Sequence, residues 1–418
     1  MSLERLSLLL LSLLSLSCEV AADLGEDQPL AMATHLDQPA YLSSTYQPQE
    51  ESFQSQQFSE LADAVRFYEE IERSGQWEPM PNGPLLSRGD AHEQVVQLRN
   101  QLYLLGDLTE DAAYLEPREL FDQALYEALI AFQKRHGAKA DGVFGPQSRG
   151  LLSVPPRKRV NQLLININRQ QQLQAIAGEH YLQVNIPEYR LRLYQQGSVL
   201  LDMKTIIGRR SRQTPIFSSA VKTMVVNPSW SVPKSIAYKD ILPRWEKDKT
   251  YLKRHNLQVL AGWETPRVVV PEEQINTEKM YRGAEYQRLW EPPGKKNTLG
   301  RIKFQIDSKN SIYLHDTKTP SLFESDKRAF SSGCIRLEKP RVLADALIQF
   351  SNMSDPQALD PLFDDVKTHN IRLKQPMELH VTYWTAWLDE NQILNFAEDL
   401  YHHDLVELAQ LDSPASLD

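Results

Sequence analysis

The residues with the clearest chemical potential surround one cysteine. Cys334 lies in Phe330-Ser-Ser-Gly-Cys-Ile-Arg-Leu, and a thiol becomes a nucleophile only where a base or cation helps remove its proton. The nearest upstream histidine is His315, in Ser311-Ile-Tyr-Leu-His-Asp. Period-two alternation in that segment buries Ile312 and Leu314 and projects Tyr313 and His315 from the opposite face. Gly333 lets the main chain approach a substrate carbonyl, so the N–H groups from Ser332 to Cys334 are candidate oxyanion donors. Arg336, two residues beyond the cysteine, is suited to holding a substrate carboxylate through paired hydrogen bonds. Tyr313 has two readings, a packing residue or a substrate contact. An isolated cysteine is commonly an inert small hydrophobe. The Ser-Gly flank, the arginine and His315 favour a nucleophile instead. Proximity to an imidazolium predicts a lowered thiol pKa, with alkylation well below about pH 8.

Strands must carry these groups. Alternation marks strands at Tyr181–Ile186, Arg190–Tyr194, Thr223–Val226, Ile302–Ile306 and Ser311–His315, and another from Met377 to Trp387. A helix with Leu343, Leu347 and Phe350 follows Pro340. Residues 235–295 interrupt the strand pattern with Trp245, Tyr251, Trp263 and Trp290 among charges, and read as a helical, lid-like insertion whose aromatics form their own small core. Upstream, Leu61, Val65, Tyr68 and Ile71 fall at helical spacing, as do Val95, Leu98, Leu102 and Leu105, then Leu125, Leu129 and Phe132. The expected fold is multidomain α+β. Its segments are 58–90 (helical scaffold), 91–155 (three-helix domain), 156–180 (helical linker), 181–405 (strand-rich domain) and 406–418 (tail).

The 418 residues suggest two or three domains at about 150 residues each. A formal charge of −9, from 46 basic and 55 acidic residues, argues against nucleic acid as a partner. The apolar run Leu6–Leu16 is too short for a bilayer span of about 20 residues. With Arg5 before it and Val20 and Ala22 after it, residues 1–22 read as a secretory signal. Lipidation at Cys18 is the alternative, disfavoured by Ser15. Residues 23–57, rich in Gln, Ser, Asp and Pro, read as a flexible linker. Export leaves Cys334 as a single thiol in an oxidising compartment, expected to be the periplasm. His402, His403 and Asp404 are weighed as a metal site and set aside, because adjacent residues point apart and no second cluster supports them.

Two resemblances sharpen this reading. Leu98, Leu102, Gly106, Ala131-Phe132-Gln133, His136-Gly137, Asp141-Gly142 and Gly145 resemble the type 1 peptidoglycan-binding domain. That similarity implies glycan or stem-peptide binding. His315, an interval, then Ser331-Ser332-Gly333-Cys334-Ile335-Arg336 resembles the signature of the L,D-transpeptidase (YkuD) catalytic domain. Ile207-Gly208, Thr214-Pro215, Asn227-Pro228-Ser229-Trp230-Ser231-Val232-Pro233 and Tyr383-Trp384-Thr385-Ala386-Trp387 extend it toward the large, YcbB-like branch. Asp316 and Ser332 depart from the family's usual Gly and His.

The resemblance implies a strand-rich β-sandwich and a cofactor-free, metal-free acyl transfer. In it Cys334 is the nucleophile, His315 the base, and a main-chain oxygen near Asp316 orients the imidazole. Backbone groups at Ser332, Gly333, Cys334 and Asp316 surround the oxyanion, with Arg336, Tyr313 and Ser331 on the substrate side. The partners implied are peptidoglycan stems and glycan, with carbapenems as inhibitors and a peptidoglycan synthase left open as a supplier. Competing readings are an L,D-carboxypeptidase, a lipoprotein-linkage enzyme and a non-catalytic wall-binding scaffold.

Overall fold

The computed structural model describes residues 59–263, 266–282, 286–307, 312–351 and 359–412. Residues 1–57, expected to be a signal and a linker and including Cys18, lie outside the described residues, as does Ser311.

A helical unit comes first. Helix α1 (Leu61–Ser74) buries Leu61, Ala64, Val65, Tyr68 and Ile71, and Gly75 ends it in the left-handed region with φ 67°. In α2 (Glu93–Leu104) the His92 ring nitrogen caps the N-terminus by accepting from Gln94 N–H at 3.1 Å. In α3 (Gln123–Arg135) the Asp122 carboxylate does so from Leu125 N–H at 2.9 Å. Helix α4 (Pro146–Leu152) starts on proline, as does the longer α5 (Pro156–Gln174). Their apolar faces meet in one core containing Leu98, Leu102, Leu125, Leu129, Phe132 and Leu163. Within it the buried Arg135 and Asp107 are paired, Nε to Oδ1 at 2.7 Å.

The second unit is a mixed sheet. Its strands are β1 (His180–Asn185), β2 (Arg190–Gln195), β3 (Ser198–Gly208) and β4 (Phe217–Val226). After an insertion come β9 (Ile302–Ile306), β10 (Leu314–His315), β11 (Ala329–Ser331), β12 (Ile335–Leu337) and β13 (His369–Thr382). Among the described residues the order is β11-β3-β12-β10-β9-β4-β13-β1-β2, and β2 also pairs with β3. Strand β3 closes the sheet upon itself. Its first part pairs with β2 and its last residues with β12 and β11. One face of the long strands feeds a single core. It holds Leu182 and Val184 of β1 and Leu379 and Val381 of β13, together with Leu314 and Ile335. The helix Pro340–Phe350, α6, contributes Leu343, Ala344, Ala346 and Leu347 to it.

The insertion has mixed structure. Short helical turns occupy 234–254, and β5 (Trp230–Ser231), β6 (Gln258–Ala261), β7 (Val268–Val269) and β8 (Gln287–Glu291) form a sheet in the order β5-β8-β6-β7. The expectation of helices alone therefore missed a sheet, whose strands are too short to print a clear alternation. Trp230, Trp245, Met280 and Leu289 make its core. Trp263 stays exposed, with the Arg288 guanidinium 4.1 Å from its ring centre.

The chain end returns to the helical unit. The hairpin β14 (Ala386–Leu388) and β15 (Leu394–Phe396) places Ala386, Leu394 and Phe396 in the helical core. Phe396 stacks on His136 at 5.3 Å and meets Tyr68 edge-on at 5.9 Å. Asn166 of α5 donates to Thr385 Oγ1 at 2.8 Å and accepts from Thr385 N–H at 2.9 Å, which pairs buried polar groups along this seam. Phe396→Ala should cost about 3–5 kcal/mol, since it empties a fully packed aromatic site. Hydrogen exchange should show lost protection in α3; loss confined to the sheet would contradict this packing.

Candidate active site

Strand β10 lies between β9 and β12, and its register assembles the site. His315 pairs with Lys303 on one side and with Arg336 on the other. Leu314 likewise pairs with Phe304 and Ile335, all fully buried in the sheet core. Paired residues share a face. Lys303, His315 and Arg336 therefore stand abreast on the face opposite the core, as alternation predicted for His315. One step back, Tyr313 O accepts from Ile335 N–H at 3.2 Å, which sets Tyr313 beside Cys334. Strand spacing and two residues of rise put the Cα atoms of Cys334 and His315 about 8 Å apart, within side-chain reach.

The electrostatics differ from the expected ion pair. His315 is buried, and burial followed by Arg336 and Lys303 pulls its pKa down to about 3. Main-chain groups of Asp316 and Leu299 favour the charged ring, yet buried Nδ1 makes no hydrogen bond. Burial also pushes the Cys334 thiol up, against opposing contributions from the Tyr313 main chain and hydroxyl, Lys303 and Arg336. The expected lowering of the thiol pKa is thus overturned: desolvation of a charged sulfur outweighs the cations. The resting pair is thiol and neutral imidazole. A neutral pair can act only by general-base catalysis, with the proton leaving as the sulfur attacks.

Tyr313 packs as one of its two readings expected, and it also borders the thiol. It packs against the insertion core, its hydroxyl faces Trp230 and the sulfur, and Lys303 Nζ sits 3.9 Å over its ring.

The loop carrying the cysteine is braced from below. Gly333 adopts φ 114°, open to glycine at little cost. Ser331 is buried; its hydroxyl donates to Cys334 O at 2.6 Å and accepts from Gly333 N–H at 3.0 Å. This corrects two expectations. Ser331 is occupied within the loop rather than turned to substrate, and the Gly333 N–H is already engaged. Among the described residues the N–H groups of Ser332 and Cys334 meet no protein acceptor, so these two are left as oxyanion donors.

The Asp316 N–H is not free for an oxyanion, while its main chain is among the groups that favour a charged His315 ring. That N–H donates to Ile302 O at 2.9 Å, and the Asp316 carboxylate accepts from Arg301 and Thr317 N–H at 2.7 and 2.6 Å. It closes a turn against Gly300, where a Cβ would fall 2.3 Å from its carboxylate.

Several supporting residues were not foreseen in their roles. Thr214 is fully buried; its hydroxyl donates to Gly333 O at 2.8 Å and accepts from Gly208 N–H at 2.9 Å. A Cβ on Gly208 would fall 2.3 Å from Arg212 O, so that close approach requires glycine. Tyr401 completes the brace by donating to Gly208 O and accepting from Thr214 N–H. Ser332 Oγ accepts from Arg212 Nη1 at 2.9 Å and Arg209 Nη2 at 3.2 Å, and Arg212 is paired with Asp240 of the insertion. The signal for Thr214 and Gly208 was their place in quoted motifs. Lys303 had none beyond a polar position between Ile302 and Phe304, and Arg212 and Asp240 had none. Among the described residues no group of three or more His, Cys, Asp and Glu is arranged to hold a metal ion. Asp404 is committed to Arg169 and Thr385 at 2.7 Å each.

Two segments of the chain are similar to known families. Residues 179–352 match the family described as "L,D-transpeptidase catalytic domain" (YkuD), and residues 91–152 match the "Putative peptidoglycan binding domain". A Haemophilus influenzae protein described as a "Putative L,D-transpeptidase" is 32% identical over 264 residues, covering 62% of this chain and 52% of that protein. The chain thus spans about half the length of that relative. Similar solved structures include L,D-transpeptidases from Stackebrandtia nassauensis and Mycobacterium smegmatis. The first is 12% identical with a TM-score of 0.24, covering 73% of this chain and 96% of that one. The second is 11% identical with a TM-score of 0.23, covering 49% and 58%.

Two outcomes follow from the site. Alkylation of Cys334 by iodoacetamide should stay slow at neutral pH and climb only above the ordinary thiol value of 9.0, because burial raises the pKa. A rate already at plateau near pH 7 would contradict a neutral resting pair. Thr214→Val leaves Gly333 O and Gly208 N–H unpaired and should cost about 1–3 kcal/mol in denaturant unfolding; an unchanged midpoint would contradict the brace.

Proposed function

We propose that this chain is an exported, cysteine-dependent L,D-transpeptidase of peptidoglycan. The observation that carries the reading is Cys334 at the entry to β12, the strand that pairs with the one carrying His315, inside the segment that matches the L,D-transpeptidase catalytic domain. The match of residues 91–152 to a peptidoglycan-binding domain supports the wall polymer as substrate.

In the first step the Cys334 sulfur attacks the carbonyl of the diamino acid in a tetrapeptide stem. His315 takes the thiol proton, and the N–H groups of Ser332 and Cys334 receive the oxyanion. Collapse breaks the C–N bond, His315 passes its proton to the departing D-alanine amine, and a thioester remains on Cys334. In the second step the side-chain amine of another stem attacks the thioester. A C–N bond forms, the C–S bond breaks, and the proton released by the amine returns to sulfur through His315. The product is a 3–3 cross-link. Energy for the new amide comes from the amide broken in the first step, so the reaction suits a compartment without ATP.

Neutral imidazole in the resting site fits this order of events. The imidazole is unprotonated at working pH, so a ring nitrogen is open to the thiol proton. The Arg212–Asp240 pair supports a role for the insertion in holding the nucleophile loop, since Arg212 also donates to Ser332.

Incubation with disaccharide tetrapeptides, followed by mass spectrometry, should give cross-linked dimers that have lost D-alanine. Cys334→Ala should lower the rate at least about a thousandfold. Trimmed tripeptides without dimers would identify a carboxypeptidase. A carbapenem should add its mass to the native protein and not to Cys334→Ala; no adduct on either would favour a binding scaffold.

A further inference from the structure

The row Lys303–His315–Arg336 contains two cations and no acid. Among the described residues neither cation has a carboxylate within ion-pair distance, and Arg336 donates no hydrogen bond, its Nε being buried without a partner. Elsewhere among the described residues the enclosed arginines have acceptors: Arg149, Arg159, Arg288 and Arg328 lack a carboxylate but donate to carbonyl, amide or hydroxyl oxygens, and others reach an acid. Arg135 is paired with Asp107, Arg169 with Asp404 and Glu407, and Arg192 with Glu188. Arg99 donates to the carbonyls of Arg118, Ala112 and Leu120 and is paired with Asp122. Taking a cation partly out of water without a counter-charge is costly. Here the cost is incurred twice, on two strands, at positions one strand away from the same imidazole. The charges also converge on one point, since both act on the Cys334 sulfur.

We propose that Lys303 and Arg336 form a two-cation subsite for a substrate carboxylate lying within one residue of the carbonyl that Cys334 attacks, with Lys303 a specificity-determining residue. The inference rests on the acyl-transfer reading and extends it to a residue which the sequence did not single out. Arg336 supplies a planar fork for two carboxylate oxygens, and Lys303 a compact charge held in place over the Tyr313 ring. Two carboxylates of a tetrapeptide stem meet the distance requirement. One is the terminal carboxylate of the leaving amino acid, and the other is the side-chain carboxylate of a diamino acid. The bound anion has a further effect. It offsets both charges that suppress protonation of His315, so the imidazole becomes a stronger base when substrate is present.

The test measures binding to the full-length Cys334→Ala protein by calorimetry, using tetrapeptide donors amidated at one carboxylate or the other. The parent peptide should bind about tenfold or more tighter than one of the two amides, and that amide identifies the carboxylate. Adding Lys303→Met should reduce the preference to less than about threefold, and Lys303→Arg should retain it. Thermal unfolding supplies the control: Lys303→Met should be at least as stable as its parent, because an unpaired buried charge has been removed. Equal binding of acid and both amides, or an unchanged preference in Lys303→Met, overturns the subsite. So does a destabilised Lys303→Met, which would make the lysine a structural residue. Acylation of the native protein by a carbapenem keeps the two readings distinct. A protein that is acylated yet indifferent to donor charge loses the subsite alone, whereas one that is neither acylated nor binds stem peptide loses both.

Discussion

The imidazole of His315 is held between a lysine and an arginine by the hydrogen-bonding register of three strands, and the site's chemistry follows from that placement. Pairing of β10 with β9 and β12 allows no other lateral neighbours for this side chain, because a one-residue slip would turn it into the core. The core face of the same strands, with Phe304, Leu314 and Ile335, makes such a slip prohibitive. Burial of apolar residues on one side thereby fixes an electrostatic arrangement on the other. Stability and reactivity are specified by one register.

Around this row the protein uses short polar contacts to fix the loop that carries Cys334. Ser331 closes the loop on itself, Thr214 ties it to the end of β3, and Tyr401 reaches in from near the chain end. Asp316 anchors the other side of the site to the turn at Gly300. These contacts occupy donors that the linear chain leaves free. Beside Cys334 and His315 several groups stay unengaged: the N–H groups of Ser332 and Cys334, the Nε of Arg336 and the Nδ1 of His315. The distinction between engaged and unengaged groups is the most informative feature of the site.

The insertion and the chain end each reach beyond their own segment. Tyr313 belongs at once to the insertion core and to the thiol's surroundings, and Asp240 holds the arginine that donates to Ser332. The hairpin after β13 completes the helical core, so a segment following the catalytic strands stabilises the domain that precedes them. Contacts of this kind link sequence positions more than two hundred residues apart, such as Asn166 and Thr385.

Local patterns determined much by themselves. Helices α1 to α4, their glycine ends and the alternation around His315 are legible because each depends on residues a few positions apart. The motif at Ser331–Arg336 pointed to Cys334 as a candidate because a glycine beside a cysteine has consequences within one turn of chain. Strand β3 escaped notice, since it pairs on both sides and carries a mixed pattern. The sheet of the insertion escaped too, its strands being very short. Only the tertiary structure decided which groups are desolvated and which find partners. Whether a thiol pKa rises or falls depends on the sum of burial and neighbouring charge, and Lys303 reaches that sum through hydrogen bonds between strands rather than along the chain. A sequence supplies the charges a protein has; the distances between them, and the water removed from around them, exist only once it has folded.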